Sequence, residues 1–507
     1  MTSRPSRRPL RRAALALSCS FAATALAGCA VVGPDYLAPD VTLPLHWANA
    51  PKQPVAKPQD LVRWWRGLRD RTLDSLMDEA VTGNLDVAAA KARVREARAN
   101  RKQAIAALFP TVDGSGSATR NKASAASSGT DVVANTPYTL YQAGFDASFE
   151  LDLFGGNKRN LEASTRALEA SFEDLDSTLL TLLGDVATYY TQARGYQARI
   201  ALAKRTAASQ RETAALTKSK FDAGSASAVD VAKAVAQAAA TEANIPQLTA
   251  SYAESVHQIG ILLGREPSAV TALVSRDAPI PAPRLPLPAG IPADVLSRRP
   301  DVRKAERQLA QYTAKIGVAE AALYPDVSLT GSLTTSAQRL GDVKRGSAIG
   351  YSFGPSVTVP LFNAGNLLAA VEVAEAQRDE YFISFRSTVL TALKDVENAL
   401  VSLSEERKRA VKLAESAKNY AESARLSRAL YQNGSSSFLD VLDAERSAYS
   451  AEDTLLQSRV LITTDYVALA KALGGGWSGR VDVSKPEIVD AGTLPHSVDF
   501  RVLDPVR

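Results

Sequence analysis

Cys29 is the residue of this 507-residue chain at which a covalent modification is easiest to predict. The chain begins with a basic segment that contains five arginines, followed by an apolar stretch from Ala13 to Ala27 and then Gly28. This stretch is too short for a permanent membrane-spanning helix and is typical of a secretory signal. The small residues before Cys29 predict lipoprotein cleavage, so that residues 1–28 are removed and the Cys29 thiol carries diacylglycerol. The alternative is an ordinary signal peptide that ends near a cysteine.

Other residues that could catalyse a reaction or bind a metal form no constellation. His46, His257 and His496 are scattered, and the serines accompany neither a nucleophile elbow nor a glycine-rich phosphate loop. Cys19 belongs to the signal, so the mature chain has one cysteine and can form neither an internal disulfide nor a cysteine metal site. We therefore expect no cofactor and no enzymatic activity.

The charge balance argues against a nucleic-acid partner. The full chain has 59 Lys and Arg against 54 Asp and Glu. Loss of the five signal arginines leaves 54 of each, so the mature protein is formally neutral and its basic character belongs to the signal.

The sequence after the cysteine predicts the membrane to which the anchor belongs. Ala30 stands where lipoproteins retained in the inner membrane usually have Asp, so the resemblance to bacterial lipoproteins indicates the outer membrane. The mature chain has no apolar run near the roughly 20 residues of a spanning helix. A segment that crosses a membrane would therefore have to be a strand in a closed barrel.

Four landmarks recur in the same order at offsets of 208 to 215 residues, which predicts an internal tandem repeat. They are Leu108–Val112 with Leu323–Val327, Leu151–Gly155 with Val359–Asn363, Phe221–Gly224 with Tyr431–Gly434, and Leu262–Gly264 with Ala472–Gly474.

The predicted organisation begins with a signal peptide at 1–28 and a lipid-anchored extension at 29–68. A first repeat at 69–278, with a strand pair at about 111–154, is followed by a proline-rich linker at 279–292. A second repeat at 293–477, with a strand pair at about 325–362, is followed by a C-terminal tail at 478–507.

Each repeat is predicted to contain a helix, two strands and a long helical hairpin with a glycine turn. From Ala364 to Leu430 no proline and hardly a glycine occurs, which corresponds to roughly 100 Å of helix at about 1.5 Å per residue. Such a length implies coiled-coil-like packing.

The predicted strands alternate strictly between apolar and polar residues. Between Phe145 and Leu153 every odd position is apolar and every even position is polar, and 326–334 and 351–361 show a similar alternation. The segment 111–119 is too small and too glycine-rich to decide. A soluble half-buried sheet alternates identically, but the lipoprotein signal favours strands that face lipid on one side and water on the other. About eight strands are the minimum for a barrel, so four require oligomerisation, and three copies would supply twelve.

The mature chain resembles the TolC-like outer-membrane efflux factors, and more closely their lipoprotein (NodT-type) branch, as far as about residue 477. The motifs that carry the resemblance are Val32-Gly33-Pro34-Asp35-Tyr36, Trp64-Trp65, Asn84-Leu85-Asp86-Val87, Arg298-Arg299-Pro300-Asp301-Val302, Leu361-Phe362-Asn363-Ala364-Gly365, Phe438-Leu439-Asp440-Val441-Leu442-Asp443-Ala444-Glu445-Arg446 and Ala472-Leu473-Gly474-Gly475-Gly476-Trp477. Trp64 and Trp65 are predicted to be packing residues rather than a ligand site.

The resemblance implies a mainly α-helical fold with a β-barrel portion. The family forms homotrimers in which a 12-stranded barrel lies in outer-membrane lipid and continues as a long periplasmic α-helical barrel. It implies a passive gated duct that exports small molecules such as drugs or toxic compounds, delivered by an inner-membrane RND-type pump through a periplasmic adaptor. The alternative from another class is a lipid-anchored periplasmic coiled-coil scaffold or adaptor without a pore.

The same resemblance implies a periplasmic gate at the hairpin tips. Asp440 and Asp443 match the family's pair of constriction aspartates, and their spacing of three puts both on one helical face, where crowded carboxylates would attract cations. The alternative role for Asp440 and Asp230 is helix capping, because Ser437 and Ser227 lie three residues before them.

Two further residues match the family's gate-closing links. Tyr431 and Asp230 occupy these matched positions, whereas Ser436 replaces the cationic partner of the family's best-known link. Arg425 and Arg428 are the nearby candidates for a substitute cation.

Overall fold

The computed structural model describes residues 31–49, 61–122, 137–283, 292–476 and 481–485. Cys29, the predicted signal, Trp477 and most of the predicted linker and tail lie outside these residues.

The two predicted repeats have the same order of elements. A 3₁₀ helix at Leu61–Leu68 lies in the predicted N-terminal extension. The first repeat contains α1 (Arg71–Gly83), α2 (Leu85–Ala106), β1 (Thr111–Asn121), β2 (Tyr138–Glu150), α3 (Gly156–Asp222), α4 (Ala228–Leu262), a 3₁₀ turn at Pro267–Val270 and α5 (Thr271–Val274). The second contains α6 (Pro292–Arg298), α7 (Pro300–Ala321), β3 (Asp326–Ala337), 3₁₀ turns at Leu340–Asp342 and Gly346–Ala348, β4 (Ile349–Thr358), α8 (Asn366–Gln432) and α9 (Phe438–Ala472). Both α3 and α8 have 67 residues, and both α4 and α9 have 35, which supports an internal duplication.

Local sequence explains where the long helices begin and turn. A glycine with positive φ precedes each of them, Gly155 before α3 and Gly365 before α8. Gly224 and Gly434 adopt the same left-handed conformation in the two hairpin turns, where residues with a Cβ would be strained. No described helix is both long and apolar enough to cross a membrane.

The four strands form one antiparallel sheet in the order β1-β2-β3-β4. Phe145 of β2 is paired with Leu333 of β3, which is paired with Tyr351 of β4, so these exposed apolar side chains lie on one face. The other face carries mainly hydroxyl and carboxylate side chains, for example Ser332 beside Ser352, whose hydroxyls are 2.9 Å apart. The two-faced pattern predicted from the alternation is therefore present.

Both strands that precede a long helix end earlier than the alternation predicted, and β4 ends at Thr358 instead of continuing to Leu361. The alternation was expected to continue to Leu153, but β2 ends at Glu150. Asp152 instead accepts hydrogen bonds from the backbone N–H groups of Asn157 (3.1 Å) and Lys158 (2.9 Å) at the start of α3. Capping of the helix therefore ends the strand. The undecided segment after Leu108 forms the full strand β1.

The main apolar core lies in the middle of the long helices. It joins Trp64 and Trp65 to α1, α3, α4, α8 and the end of α9, and the two tryptophan rings meet edge to face at 5.9 Å. Both indoles are buried, as predicted for packing residues. From this core, α3 and α8 run towards the sheet in one direction and towards the hairpin turns in the other.

Candidate functional site at the helical hairpin turns

Asp440 caps the start of α9. Its Oδ2 atom accepts hydrogen bonds from the Ser437 hydroxyl (2.8 Å), the Ser437 backbone N–H (3.1 Å) and the Ser436 hydroxyl (3.1 Å). These bonds stabilise the charged carboxylate, so they hold the pKa of Asp440 below its usual range, with the Ser437 hydroxyl as the largest cause. The predicted capping box is therefore present, and Ser436 contacts the aspartate directly.

Asp443 lies one helical turn further along α9 and is exposed. Because three residues separate it from Asp440, the two exposed carboxylates project from the same side of the helix. Asp230 caps α4 in the equivalent way, accepting hydrogen bonds from the hydroxyl (2.7 Å) and backbone N–H (3.2 Å) of Ser227. Each of the two hairpins therefore ends in the same serine–aspartate cap.

Tyr431 on α8 connects its hairpin to α3 of the other hairpin, whereas Asp230 caps α4. Its buried hydroxyl donates a hydrogen bond to Thr217 Oγ1 on α3 (3.2 Å), and its ring packs edge to face on Phe438. The ammonium group of Lys220 lies over the Tyr431 ring, with Nζ 4.9 Å from the ring centroid. The structure therefore links Tyr431 to Thr217.

The two candidate substitute cations have other partners within the described chain. Arg425 pairs with Glu422 on the surface of α8, with Nη2 to Oε1 at 2.6 Å. Arg428 pairs with Glu445, with Nη2 to Oε1 at 2.7 Å. Neither ion pair involves Asp440, whose partners are serines.

Glu445 lies in the same region, and no role was predicted for it from the sequence. It is 5 % exposed, and its Oε1 atom accepts hydrogen bonds from Thr213 on α3 (2.9 Å) and from Nε (3.1 Å) and Nη2 of Arg428 on α8. One carboxylate on α9 thus joins three helices. A pattern in the sequence indicates the burial of Glu445, because Val441, Glu445 and Ala448 share one helical face and the other two residues are apolar.

A cavity of about 200 Å³ lies beside this junction, between α3, α8 and α9. Its lining includes Gln210, which is 1 % exposed and whose amide atoms have no hydrogen-bond partner in the described part of the chain. Such a buried unpaired amide costs free energy. The helix junction near the turns, where α3, α8 and α9 meet, therefore contains a buried amide without a hydrogen-bond partner in the described residues.

A second polar cluster fixes the N-terminal segment to the start of α3. Arg159 is 5 % exposed and donates to the carbonyl oxygens of Val32 (3.0 Å) and Gly33 (2.9 Å) and to the carboxylates of Asp35 (2.9 Å) and Glu162 (2.8 Å). The first residues after the predicted anchor are thereby held beside the sheet end of α3.

The chain thus combines a two-faced antiparallel sheet with long helical hairpins that project from a central core. Residues 76–265 and 291–475 match the family model described as outer membrane efflux protein. The chain therefore belongs to the outer membrane efflux protein family.

Individual relatives agree with this assignment. Nodulation protein T of Rhizobium leguminosarum bv. trifolii is 35% identical over 460 residues, which cover 90% of this chain and 97% of the relative. The pyoverdine export outer membrane protein OpmQ of Pseudomonas aeruginosa is 34% identical over 422 residues, covering 82% of this chain and 88% of the relative. The solved outer-membrane channel OprN superposes with a TM-score of 0.83 at 36% identity, covering 88% of this chain and 99% of that chain.

These findings confirm the predicted family and the predicted function as the outer-membrane channel of an efflux system. They also agree with a mostly helical fold and with a location in the outer membrane.

Proposed function

We propose that three copies of this chain close one 12-stranded barrel in the outer membrane and form a passive, gated efflux duct. The single observation that carries this proposal is the four-stranded sheet with one apolar face. Its outer strands β1 and β4 have no second neighbour in the described chain. Because an open sheet edge is not tolerated in lipid, β4 of one copy pairs with β1 of the next.

The long helices continue this barrel as a tunnel through the periplasm. At about 1.5 Å per residue, the 67 residues of α3 and of α8 extend roughly 100 Å each. The hairpins formed with α4 and α9 from three copies surround one axis. Exposed apolar side chains along the helices, such as Leu390, Val411 and Leu461, supply the contacts between copies.

The hairpin turns form the gate of this duct. Asp440 and Asp443 of three copies place carboxylates around the narrow end of the tunnel, which favours cations there. In place of the family's cationic partner, the closed form is held within each copy by Arg428–Glu445–Thr213 and by Tyr431–Thr217. Asp230 supports the turn of the neighbouring hairpin through its cap on α4.

The lipid on Cys29 anchors each copy at the foot of the barrel. Two residues after it, Val31 lies against Gly155, where a Cβ on the glycine would come within about 3.0 Å of the valine Cα. Arg159 then holds Val32 and Gly33. The anchored chain thus reaches the junction of sheet and helices without a flexible spacer in the described residues.

The channel works with two partners and without catalysis of its own. An inner-membrane RND-type pump supplies the energy, and a periplasmic adaptor connects it to the hairpin tips. The names of its relatives, such as pyoverdine export for OpmQ, support small organic molecules as cargo. The protein is not an enzyme in this proposal.

Conductance of the purified protein tests the proposal. The full-length chain is extracted in detergent, sized with and without heating, and added to a planar lipid bilayer. We expect a heat-sensitive trimer that opens ion-conducting pores. An assembled species that never conducts would instead support the lipid-anchored scaffold.

A further inference from the structure

The end of the sheet that points away from the helices carries a group of basic residues, here called the basic rim. The helices join the start of β1 and β3 and the end of β2 and β4, so the opposite strand ends and the turn between β3 and β4 lie far from them. The described basic residues of this end are Arg120, Lys122, Arg339, Lys344 and Arg345. Asp342 is the one acidic residue among the described residues there.

The turn that presents most of these charges is ordered by its own hydrogen bonds. Thr335 at the end of β3 donates from Oγ1 to the carbonyl oxygen of Val343 (2.5 Å), which folds the turn back on the strand. Arg345 pairs with Asp342 at 3.1 Å and its side chain remains 71% exposed. Lys344 and Arg339 are exposed and have no ion pair in the part of the chain that the structure describes.

The basic rim continues the apolar face of the sheet. Arg120 is paired with Thr139, and Ala118 is paired with Tyr141 on the same face of the sheet. The Arg120 side chain therefore projects from the apolar face. On the same face, Tyr351 is 75% exposed near the start of β4. A long basic side chain at the border of an apolar band can extend its charge into a layer of polar headgroups.

The opposite end of the sheet has the opposite charge. Asp113, Asp146, Glu150 and Asp326 lie on its polar face towards the helices, and no Lys or Arg lies in that half of the described strands. The basic rim is therefore not part of a generally basic sheet. Its charge is confined to the level at which the lipid headgroups of one leaflet would surround the strands.

We propose that the basic rim binds the phosphate groups of a phosphorylated glycolipid in the outer leaflet of the outer membrane. Arginine and lysine are suited to phosphate, arginine through paired N–H donors and lysine as a point charge. Basic residues next to a membrane surface are attracted to anionic lipid headgroups. The adjoining apolar face accommodates the acyl chains of the same lipid, which favours a lipid over a free anion. This inference rests on the proposed barrel.

Lipid retention by the purified trimer tests the inference. The full-length trimer is exchanged into neutral detergent with diphosphoryl lipid A or with the matching monophosphoryl lipid A, and the bound lipid is counted by native mass spectrometry. We expect the diphosphoryl form to bind at least about tenfold more tightly, because the phosphate is the group that the basic residues contact. Equal retention of the two lipids would overturn the inference.

Charge-matched variants show whether the basic rim is responsible. R339Q/K344Q/R345Q removes three positive charges from the turn, and K408Q/R409Q/K412Q removes three from exposed positions on α8. We expect the first variant to lose the preference for diphosphoryl lipid A and the second to keep it. Equal preference in both variants would contradict the inference. The charge-conserving R339K/K344R/R345K, which should retain the lipid, controls for damage to the turn.

Two further observations separate this inference from the proposed channel. Both variants should still form conducting trimers, so a failure of the wild-type protein to conduct would concern the channel and not the basic rim. An excess of inorganic phosphate should not displace the lipid. Displacement by phosphate alone would show a free-anion site and overturn the assignment to a lipid.

Discussion

Arg428 of α8 and Glu445 of α9 form an ion pair of 2.7 Å immediately above the hairpin turn that carries Asp440. The Glu445 carboxylate is almost fully buried and also accepts a hydrogen bond from Thr213 of the other hairpin. Breaking a buried pair by removing one partner leaves an uncompensated charge. The pair therefore connects the stability of the helix junction to the position of the turn.

Glu445→Gln is expected to loosen the junction and to favour the open channel. Loss of one partner of a fully buried pair costs about 3–5 kcal/mol, but Arg428 keeps 31% of its side-chain surface exposed, so we expect about 2 kcal/mol. The open fraction in single-channel recordings should rise and the thermal midpoint of the purified protein should fall. Glu405→Gln is the control, because Glu405 pairs with Lys408 on an exposed surface and its loss should cost less than about 1 kcal/mol. Equal effects of the two changes would contradict a locking role for Glu445.

Asp440→Asn combined with Asp443→Asn is expected to change the ion conductance of the reconstituted channel and its block by multivalent cations. Both carboxylates are exposed on one side of α9, and the double change removes their charge while it nearly preserves their shape. Single-channel recordings with and without the cation are the measurement. Ser437→Ala weakens the same cap but keeps both charges, so it should leave the block at neutral pH largely intact. Unchanged behaviour of the double variant would exclude these aspartates from the constriction.

Ser437→Ala is also expected to change the pH dependence of the gate. The Ser437 hydroxyl is the largest cause of the lowered pKa of Asp440, so its loss should raise that pKa towards the ordinary value. A lowered pKa stabilises the native turn at pH values above the unfolded pKa, and this stabilisation is lost as the pH falls through the folded pKa. The conductance of cations should therefore decline at a higher pH in the variant than in the wild type. An identical midpoint in both proteins would show that the hydroxyl does not tune the gate.

The sequence predicted the hairpins and the serine–aspartate caps because these depend on residues close together in the chain. Gly224 and Gly434 mark the turns, and Ser227 and Ser437 mark the helix starts. The alternation in the strands was equally local, and it predicted which side chains share a face.

Contacts between distant residues could not be predicted in the same way. Glu445 is buried because α3, α8 and α9 meet around it, and its partners Arg428 and Thr213 are 17 and 232 residues away. The end of β2 at Glu150 also depended on a competing interaction, because Asp152 caps α3. Capping residues in a strand pattern therefore deserve more weight than continued alternation.

Arg159→Met is expected to release the N-terminal segment from the sheet end of α3. The substitution keeps an unbranched side chain but removes every hydrogen bond to Val32, Gly33 and Asp35, so we expect a loss of about 3 kcal/mol. Limited proteolysis should cut the segment before residue 49 more rapidly, while the reconstituted protein should still conduct. Arg166→Met is the matched control, since Arg166 pairs with Glu169 at a half-exposed site and should contribute less than about 1 kcal/mol. Equal protease resistance of Arg159→Met and wild type would contradict the role of Arg159 in fixing the N-terminal segment.

Gln210→Met is expected to stabilise the closed helix junction. Both amide atoms of Gln210 are buried without a hydrogen-bond partner in the described chain, and such a group costs about 1–3 kcal/mol. Methionine has a similar length and flexibility but no amide, so it should fill the same space without this cost. The thermal midpoint of the purified protein should rise, and the open fraction in single-channel recordings should fall.

Gln197→Met on the same helix distinguishes relief of an unpaired amide from a general benefit of methionine. The Gln197 amide donates to the carbonyl oxygen of Val274 (2.8 Å) and to the Tyr252 hydroxyl (3.3 Å), and it accepts from Arg194 (2.7 Å). Its replacement breaks all three bonds. This variant should be less stable than wild type by about 1–3 kcal/mol, the opposite sign to Gln210→Met. A fall in stability for both substitutions would mean that the Gln210 amide has a partner in the proposed trimer. The buried amide would then not contribute to opening of the channel.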